Sequence, residues 1–210
     1  MSAPAPASVL RASVLARLME EVFDAVIVGG GATGAAMARD AALRGLRVAL
    51  LERTDFAGET SSYSSKLIHG GLRYLEHGDL PLVFEALADR NRLLRAAPHL
   101  CRPLDFILPG YLGQTPSHTK VGLGIALYNA LALYRAPARQ ERWSAETVWR
   151  EAPLLRSAGL TGAHIYVDCQ TNDARLVLEN VLDGEEAGAA CASYVHVERV
   201  LRSGTEHVLG

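Results

Sequence analysis

A short run rich in valine and isoleucine that ends in glycines, Asp24 to Val28 followed by Gly29, Gly30 and Gly31, constrains this 210-residue chain more than any other stretch. Its composition predicts a strand buried on both faces of a parallel sheet. Gly29, Gly31 and Gly34 carry G-x-G-x-x-G spacing. The first permits a tight turn, the second leaves no Cβ between backbone and a diphosphate, and the third lets a helix pack closely on the strand. The Ala-rich segment Ala32 to Leu43 predicts that helix, whose N-terminal N–H groups and dipole attract a diphosphate. A second strand is expected at Arg47 to Leu51, ending at Glu52, 23 residues beyond Gly29. A carboxylate there accepts hydrogen bonds from ribose hydroxyls and repels a 2′-phosphate. Strand, glycine turn, helix and acid together predict an α/β, Rossmann-like dinucleotide site, with FAD and NAD both open and NADP disfavoured.

The next segment separates FAD from NAD. Thr60, Ser61, Ser62, Ser64 and Ser65 form a hydroxyl-rich loop that runs into Lys66, Leu67, Ile68, His69, Gly70, Gly71, Leu72, Arg73 and Tyr74. A nicotinamide-binding sheet rarely carries such an insertion directly after its second strand. Hydroxyls and N–H groups here suit a pyrophosphate and ribityl chain, and Gly70-Gly71 lets backbone approach a flavin ring. Loop serines also cap helices and turns, and Arg73 also fits an ordinary surface position.

Three runs carry a family likeness: GGGATGAAMARDAALRG at 29–45, TSSYSSKLIHGGLRYLE at 60–76 and DCQTNDARLVLEN at 168–180. They strongly resemble the FAD-dependent glycerol-3-phosphate dehydrogenases, from about Phe23 to the C-terminus and more loosely over residues 101–165. The resemblance implies a Rossmann-like FAD-binding domain of the glutathione-reductase or D-amino-acid-oxidase type, joined to the start of an α+β substrate domain. On that reading a disordered tail at 1–8 precedes the FAD-binding domain at 9–100 and 168–210, with the substrate or cap domain starting at 101–167. It implies a role in glycerol metabolism, with FAD-dependent oxidation of sn-glycerol 3-phosphate to dihydroxyacetone phosphate and electrons passed to quinone. It also implies a cytoplasmic protein held peripherally on the inner face of the cell membrane, and it leaves room for a homodimer. The implied FAD contacts are Gly29, Gly31, Thr33, Gly34, Glu52, Arg53, Thr60, Ser61, Ser64, Ser65, Lys66, Leu67, Gly71 and, through backbone near the adenine, Val197.

Arg73 is the candidate for the substrate phosphate, because a planar guanidinium matches phosphate bidentately, and Tyr74 for an added hydrogen bond. His69 is of the residue type most often used as a general base, and beside Gly-Gly it equally suits a flavin contact or a structural role. Lys66 suits charge balance or a solvated surface. Ala36 stands where the family pattern has glycine, which adds a methyl and removes no functional group. The same residues also fit an oxidase that returns electrons to oxygen, or a non-catalytic flavin-binding fragment. A doubly wound sheet needs more strands than the three expected here, so the chain reads as an N-terminal piece.

Composition narrows the rest. At 49% hydrophobic residues and net charge −2 the chain is ordinary globular material, and nothing in it suggests nucleic acid as a partner. Cys101, Cys169 and Cys191 are odd in number, far apart and without C-x-x-C spacing, which argues against a disulfide frame or zinc site and for a reducing compartment. The histidines show no metal-ligand clustering, and no metal is expected. Val9 to Glu21 predicts a short helix packed on the flavin domain in preference to a transit peptide, which Glu20 and Glu21 suit poorly.

Further on, Asp79 caps an expected one-sided helix with Pro81 in its first turn, running through Val83, Phe84, Leu87 and Leu94 to before Pro98. Residues 103–111, PLDFILPGY, predict a strand that opens the substrate domain. The apolar stretch Val121 to Tyr134 is too short to span a bilayer, at about 21 Å as a helix against roughly 30 Å. It reads as a buried helix or, with Lys120, Arg135, Arg139 and Arg142 beside it, as a helix on anionic lipid. Ala163 to Cys169 predicts a strand, and Asp173 caps an expected helix reaching about Asp183, with Gly184 near its end. Tyr194 to Leu201 is expected as the third strand of the nucleotide-binding sheet, followed by a strand at Glu206 to Leu209.

Overall fold

The computed structural model describes residues 7–114, 117–132, 141–203 and 206–209. The chain begins with α1 (Ala7–Glu20), β1 (Ala25–Val28), α2 (Ala32–Leu43), β2 (Val48–Leu51), β3 (Leu67–Ile68), a 3-10 turn (Leu72–His77), α3 (Leu80–Ala96) and β4 (Arg102–Tyr111). It continues with α4 (His118–Leu131), β5 (Glu141–Trp143), α5 (Ala145–Glu151), β6 (Leu160–Gln170), α6 (Asp173–Glu186), β7 (Ala190–Ala192), β8 (Val200–Ser203) and β9 (Glu206–Leu209). Two compact units result, one from Met1–Ser65 with Asn172–Gly210 and one from Lys66–Thr171. The units therefore divide at 65/66 and 171/172, where the sequence suggests 100/101 and 167/168. The reason is packing: Val83 and Leu87 of α3 share a core with Ile125, Tyr128 and Tyr166, so residues 66–100 fold with the second unit.

The first unit is built on a parallel sheet in the order β1-β2-β7. β2 lies in the middle and, like β7, is buried at every position, whereas Val26 and Val28 of β1 are 41% and 61% exposed, so the burial on both faces expected of β1 is not found there. Gly34, Ala35, Ala38 and Ala42 form the buried face of α2, and Val177 and Val181 of α6 complete a core with Val48 and Leu50. Small residues let α2 and α6 approach closely; a Cβ on Gly184 would lie 3.4 Å from the Cα of Arg39. Gly184 thus serves helix contact inside α6 and does not end it, as the sequence suggested. The helix stops at Ala187, followed by Gly188 at φ +102°. Its cap is Asn172, whose side chain accepts from the Arg175 N–H at 3.1 Å, while Asp173 occupies the first turn, where its charge suits the helix dipole.

The third strand of this sheet is β7, paired Ala49 to Ala190, Leu50 to Cys191 and Leu51 to Ala192, and not residues 194–201. Those residues do alternate, with Tyr194, His196 and Glu198 exposed and Val195 and Val197 half-buried. Their alternation follows the flank of the unit, held by Tyr194 N–H to Thr54 O at 2.9 Å and Val195 N–H to Glu52 O at 2.8 Å. β8 and β9 then form a separate antiparallel pair. α1 packs on β7 as expected, with Arg11 donating to Ser193 O at 2.8 Å and Arg17 to Gly188 O at 3.1 Å. Ala7 and Ser8 belong to α1 and not to the expected tail, whose residues 1–6 lie outside the described residues.

The second unit centres on β6, which pairs antiparallel with β3, β4 and β5. The expected cap of α3 is present: the Asp79 carboxylate accepts from the Leu82 N–H at 3.2 Å, with Pro81 in the first turn. α4 starts earlier than its apolar run, capped by the Ser117 hydroxyl, and buries Ile125 and Tyr128 completely. Its opposite face is open, with Leu123 72% exposed. Leu133, Tyr134, Arg135 and Arg139 lie outside the described residues. Among the described residues no helix is long and apolar enough to cross a membrane.

Leu87 is fully buried where α3 meets α4 and the 3-10 turn, so Leu87→Ala is expected to destabilise the second unit by about 2–5 kcal/mol. Leu82, exposed on the same helix, should tolerate alanine within about 0.5 kcal/mol. Chemical denaturation of the two variants checks the contrast.

Candidate functional site

The glycine turn of the first unit closes on itself. Gly29 adopts φ +110° and donates its N–H to Leu51 O at 2.8 Å, tying the turn to the end of β2. A Cβ at Gly34 would sit 1.9 Å from the carbonyl oxygen of Gly29, so the first turn of α2 rests directly on the glycine turn. Gly31 is the N-cap of α2 without a side chain to cap it; the Ser61 hydroxyl accepts the Ala32 N–H at 3.1 Å in its place. Among the described residues, a Cβ built on Gly31 would meet that hydroxyl oxygen at 3.4 Å, and Thr33 is exposed on the same turn. Space at Gly31 and the positive end of the helix dipole match what a diphosphate requires. Ala36, the departure from the family pattern, is exposed, so its methyl does not crowd the core.

Glu52 is 8% exposed. Its Oε1 accepts the Thr54 N–H at 2.7 Å and the Thr54 hydroxyl at 3.0 Å, and its Oε2 accepts the Gly30 N–H at 2.8 Å. Burial alone would raise its pKa, but these hydrogen bonds and the Arg53 charge outweigh it and hold the carboxyl below its ordinary value. A carboxylate has about four lone-pair sites, so three donors leave one for a ribose hydroxyl. Gly30 is a residue that spacing missed, because the middle position of G-x-G is open to any side chain. Here a Cβ would meet Phe56 at 2.6 Å and Glu52 at 2.8 Å.

The remaining first-unit candidates divide. Arg53 is exposed and pairs with Glu59 at 3.0 Å. Thr60 and Ser65 are exposed, Val197 is half-buried in irregular chain, and the Ser64 hydroxyl bonds to the Asp173 carboxylate at the start of α6. Ser62 donates to Ala57 O at 2.6 Å, the turn-closing use of a loop serine.

In the second unit Lys66 adopts φ +61°, a strained conformation for a side-chain-bearing residue, and its carbonyl accepts the Thr171 N–H at 2.9 Å. Leu67 pairs with Gln170 in β3. His69 is exposed, and its Nδ1 accepts the Gly71 N–H at 3.1 Å, so the neutral ring carries its proton on Nε2. Gly71, at φ +72°, caps the 3-10 turn, and a Cβ there would strike the Tyr74 ring at 2.2 Å. Exposed Tyr74 thus folds back over Gly71. Arg73 lies on the same turn; its side chain is outside the described residues. Sequence reasoning missed Tyr128, Asp168 and Arg90, which meet behind this turn in the interior. Asp168 opens the DCQTNDARLVLEN run, the one signal that pointed near them.

The model of the FAD dependent oxidoreductase (DAO) family matches residues 24–210. A probable mitochondrial glycerol-3-phosphate dehydrogenase of Caenorhabditis elegans is 43% identical over 209 residues, covering 95% of this chain and 28% of that protein. An alpha-glycerophosphate oxidase of Streptococcus pyogenes is 38% identical over 203 residues, covering 95% of this chain and 33% of that protein. Among solved structures, the glycerol-3-phosphate dehydrogenase of Bacillus halodurans complexed with FAD is similar with a TM-score of 0.67 at 29% identity, over 94% of this chain and 32% of that one. The chain spans 28% and 33% of the length of these two curated relatives.

Because the folded-state pKa of Glu52 is depressed, its stabilisation is complete above the unfolded value and is lost as pH falls through the folded one. Denaturation midpoints of the wild type should therefore fall as the pH is lowered below the ordinary glutamate value of about 4.5. Glu52→Gln should start lower and show a shallower acid dependence over that window; identical pH profiles would mean that Glu52 is not held as described.

Proposed function

The chain belongs to the FAD dependent oxidoreductase family, and on that premise we propose that the whole protein uses FAD to oxidise sn-glycerol 3-phosphate to dihydroxyacetone phosphate. The observation that carries this reading is the pair of relatives whose names specify this substrate, at 43% and 38% identity over 95% of the chain. The first unit supports it with a cradle that fits a dinucleotide: the open N-terminus of α2 at Gly31, with Ser61 beside it, and the ionised Glu52 with one acceptor site left.

FAD when bound supplies the acceptor for the hydride that leaves C2. The chain's own residues hold and orient. Glu52 takes a ribose hydroxyl and the first turn of α2 takes the diphosphate. Arg73 takes the substrate phosphate through its bidentate fork, Tyr74 adds a hydrogen bond, and Lys66 balances negative charge. The C2 hydroxyl proton must pass to a base as the carbonyl forms. His69 accepts it on Nδ1 only when the Gly71 N–H releases that nitrogen; with the bond kept, His69 instead donates from Nε2 to a substrate oxygen.

We place quinone as the electron acceptor and the inner face of the cell membrane as the working location. Exposed Leu123 and Leu127 on α4, with exposed Lys120 beside them, favour a lipid surface. Oxygen as acceptor is the second reading, favoured by the relative named as an oxidase. Reduction of a quinone analogue measured beside peroxide formation separates the two.

Charge-assisted hydrogen bonds contribute roughly 1.5–3 kcal/mol each, so Arg73→Ala in the whole protein should lower kcat/KM for glycerol 3-phosphate by about 10- to 200-fold with FAD retained. Arg73→Lys should recover part of the loss, since an ammonium keeps charge without the fork. Loss of flavin from Arg73→Ala, with turnover of the remaining holoenzyme unchanged, would make Arg73 structural.

A further inference from the structure

The turn that carries the substrate-side candidates is fastened at one peptide. Gly70 is buried, and its N–H donates to the Tyr128 hydroxyl at 2.7 Å. The tyrosine's own proton lies between the two carboxylate oxygens of Asp168, at 2.9 and 3.0 Å. Asp168 also pairs with Arg90, which reaches the Val167 carbonyl at 3.2 Å. A phenol has one proton and two lone pairs, so with its proton committed to Asp168 its lone pair must face Gly70. Burial, then the Asp168 charge, push the Tyr128 pKa far above its ordinary value, so the hydroxyl remains a donor at any working pH. The steric fit is equally close: a Cβ on Gly70 would lie 2.6 Å from the tyrosine oxygen and 2.3 Å from Leu87.

Core packing alone does not call for this arrangement. Phenylalanine fills nearly the same volume, and a buried ion pair adds little stability over apolar side chains of its size. What the hydroxyl adds is direction at one backbone N–H. Fixing the peptide between His69 and Gly70 sets the exit angle of the His69 ring and the start of the Leu72–His77 turn, and the Gly71 N–H to His69 Nδ1 bond couples the two.

Resting on the functional reading above, we propose that Tyr128, oriented by Asp168 and Arg90, is a positioning residue that holds the Gly70 peptide and with it His69 and the turn bearing Arg73. The test compares Tyr128→Phe in the whole, FAD-loaded protein with Ile125→Val, which trims the same buried core without removing a bond to Gly70. Amide exchange is followed by mass spectrometry over residues 66–75 and over β4 and β6, together with FAD content and steady-state kinetics. Tyr128→Phe should speed exchange over 66–75 by about ten-fold while β4, β6 and FAD content stay as in the wild type. Its kcat/KM for glycerol 3-phosphate should fall about ten-fold, mostly in kcat, and Ile125→Val should change it less than about two-fold. Asp168→Asn keeps an acceptor oxygen for the phenol but leaves the buried Arg90 charge unpaired, so it should speed exchange over 66–75 beyond whatever rise it causes in β4 and β6, and it serves if Tyr128→Phe does not fold. Exchange over 66–75 that is unchanged, or that rises only in step with β4 and β6, overturns the proposal in whichever variant folds. A wild type that lacks FAD or does not act on glycerol 3-phosphate overturns the functional reading instead, while the exchange comparison still reports whether Tyr128 holds the turn.

Discussion

A buried carboxylate, Glu52, gathers the glycine-turn end of the first unit. Its two oxygens accept from Gly30 and from both the N–H and hydroxyl of Thr54, which joins the glycine turn to the chain leaving β2. Backbone bonds extend the same junction: Gly29 N–H to Leu51 O, Ala57 N–H to Gly30 O, Glu52 N–H to Ala192 O and Val195 N–H to Glu52 O. A displaced side chain at 52 would leave the Gly30 and Thr54 N–H groups without their acceptor, and a neutral one, with a single good acceptor oxygen, would leave one of them, so the ionised carboxyl best keeps the turn's shape.

What was legible in the sequence was what local rules decide. α2 spans the Ala-rich segment read from the glycine spacing, Asp79 caps α3 with Pro81 in the first turn, and the strand read at 103–111 is β4 with one residue more. The FAD-binding, Rossmann-like character followed from the same spacing joined to the family likeness, and the family match over 24–210 agrees. Where reading failed, a tertiary contact overrode a local signal. A three-residue strand of Ala190, Cys191 and Ala192 has too little pattern to outweigh the longer alternation after it, yet small buried side chains are what fit beside β2. Gly184 looked like a helix stop because nothing local shows that α2 passes over it.

The hydroxyl-rich loop at 60–65 shows the same division. Its serines were read as polar contacts, and Ser61 does sit at the N-terminus of α2, but Ser62 closes a turn and Ser64 bonds to Asp173. Ala57 and Lys66, on either side of this loop in sequence, both adopt φ +61° without being glycine, a strain that composition does not reveal. The Gly70 fastening was invisible for a different reason: Tyr128 and Asp168 lie 58 and 98 residues away in sequence, and only the packing of α4 and β6 brings them to one peptide.

In the function proposed above, the glycine turn and Glu52 seat FAD. Flavin content of the purified whole protein, read from its visible spectrum for wild type and Gly31→Val, tests it most directly. A yellow wild type with stoichiometric FAD and a folded but colourless variant are expected, because a branched side chain would occupy the approach of the diphosphate. A wild type that cannot be loaded with FAD yet binds NAD, or a Gly31→Val variant with normal flavin content, would contradict it.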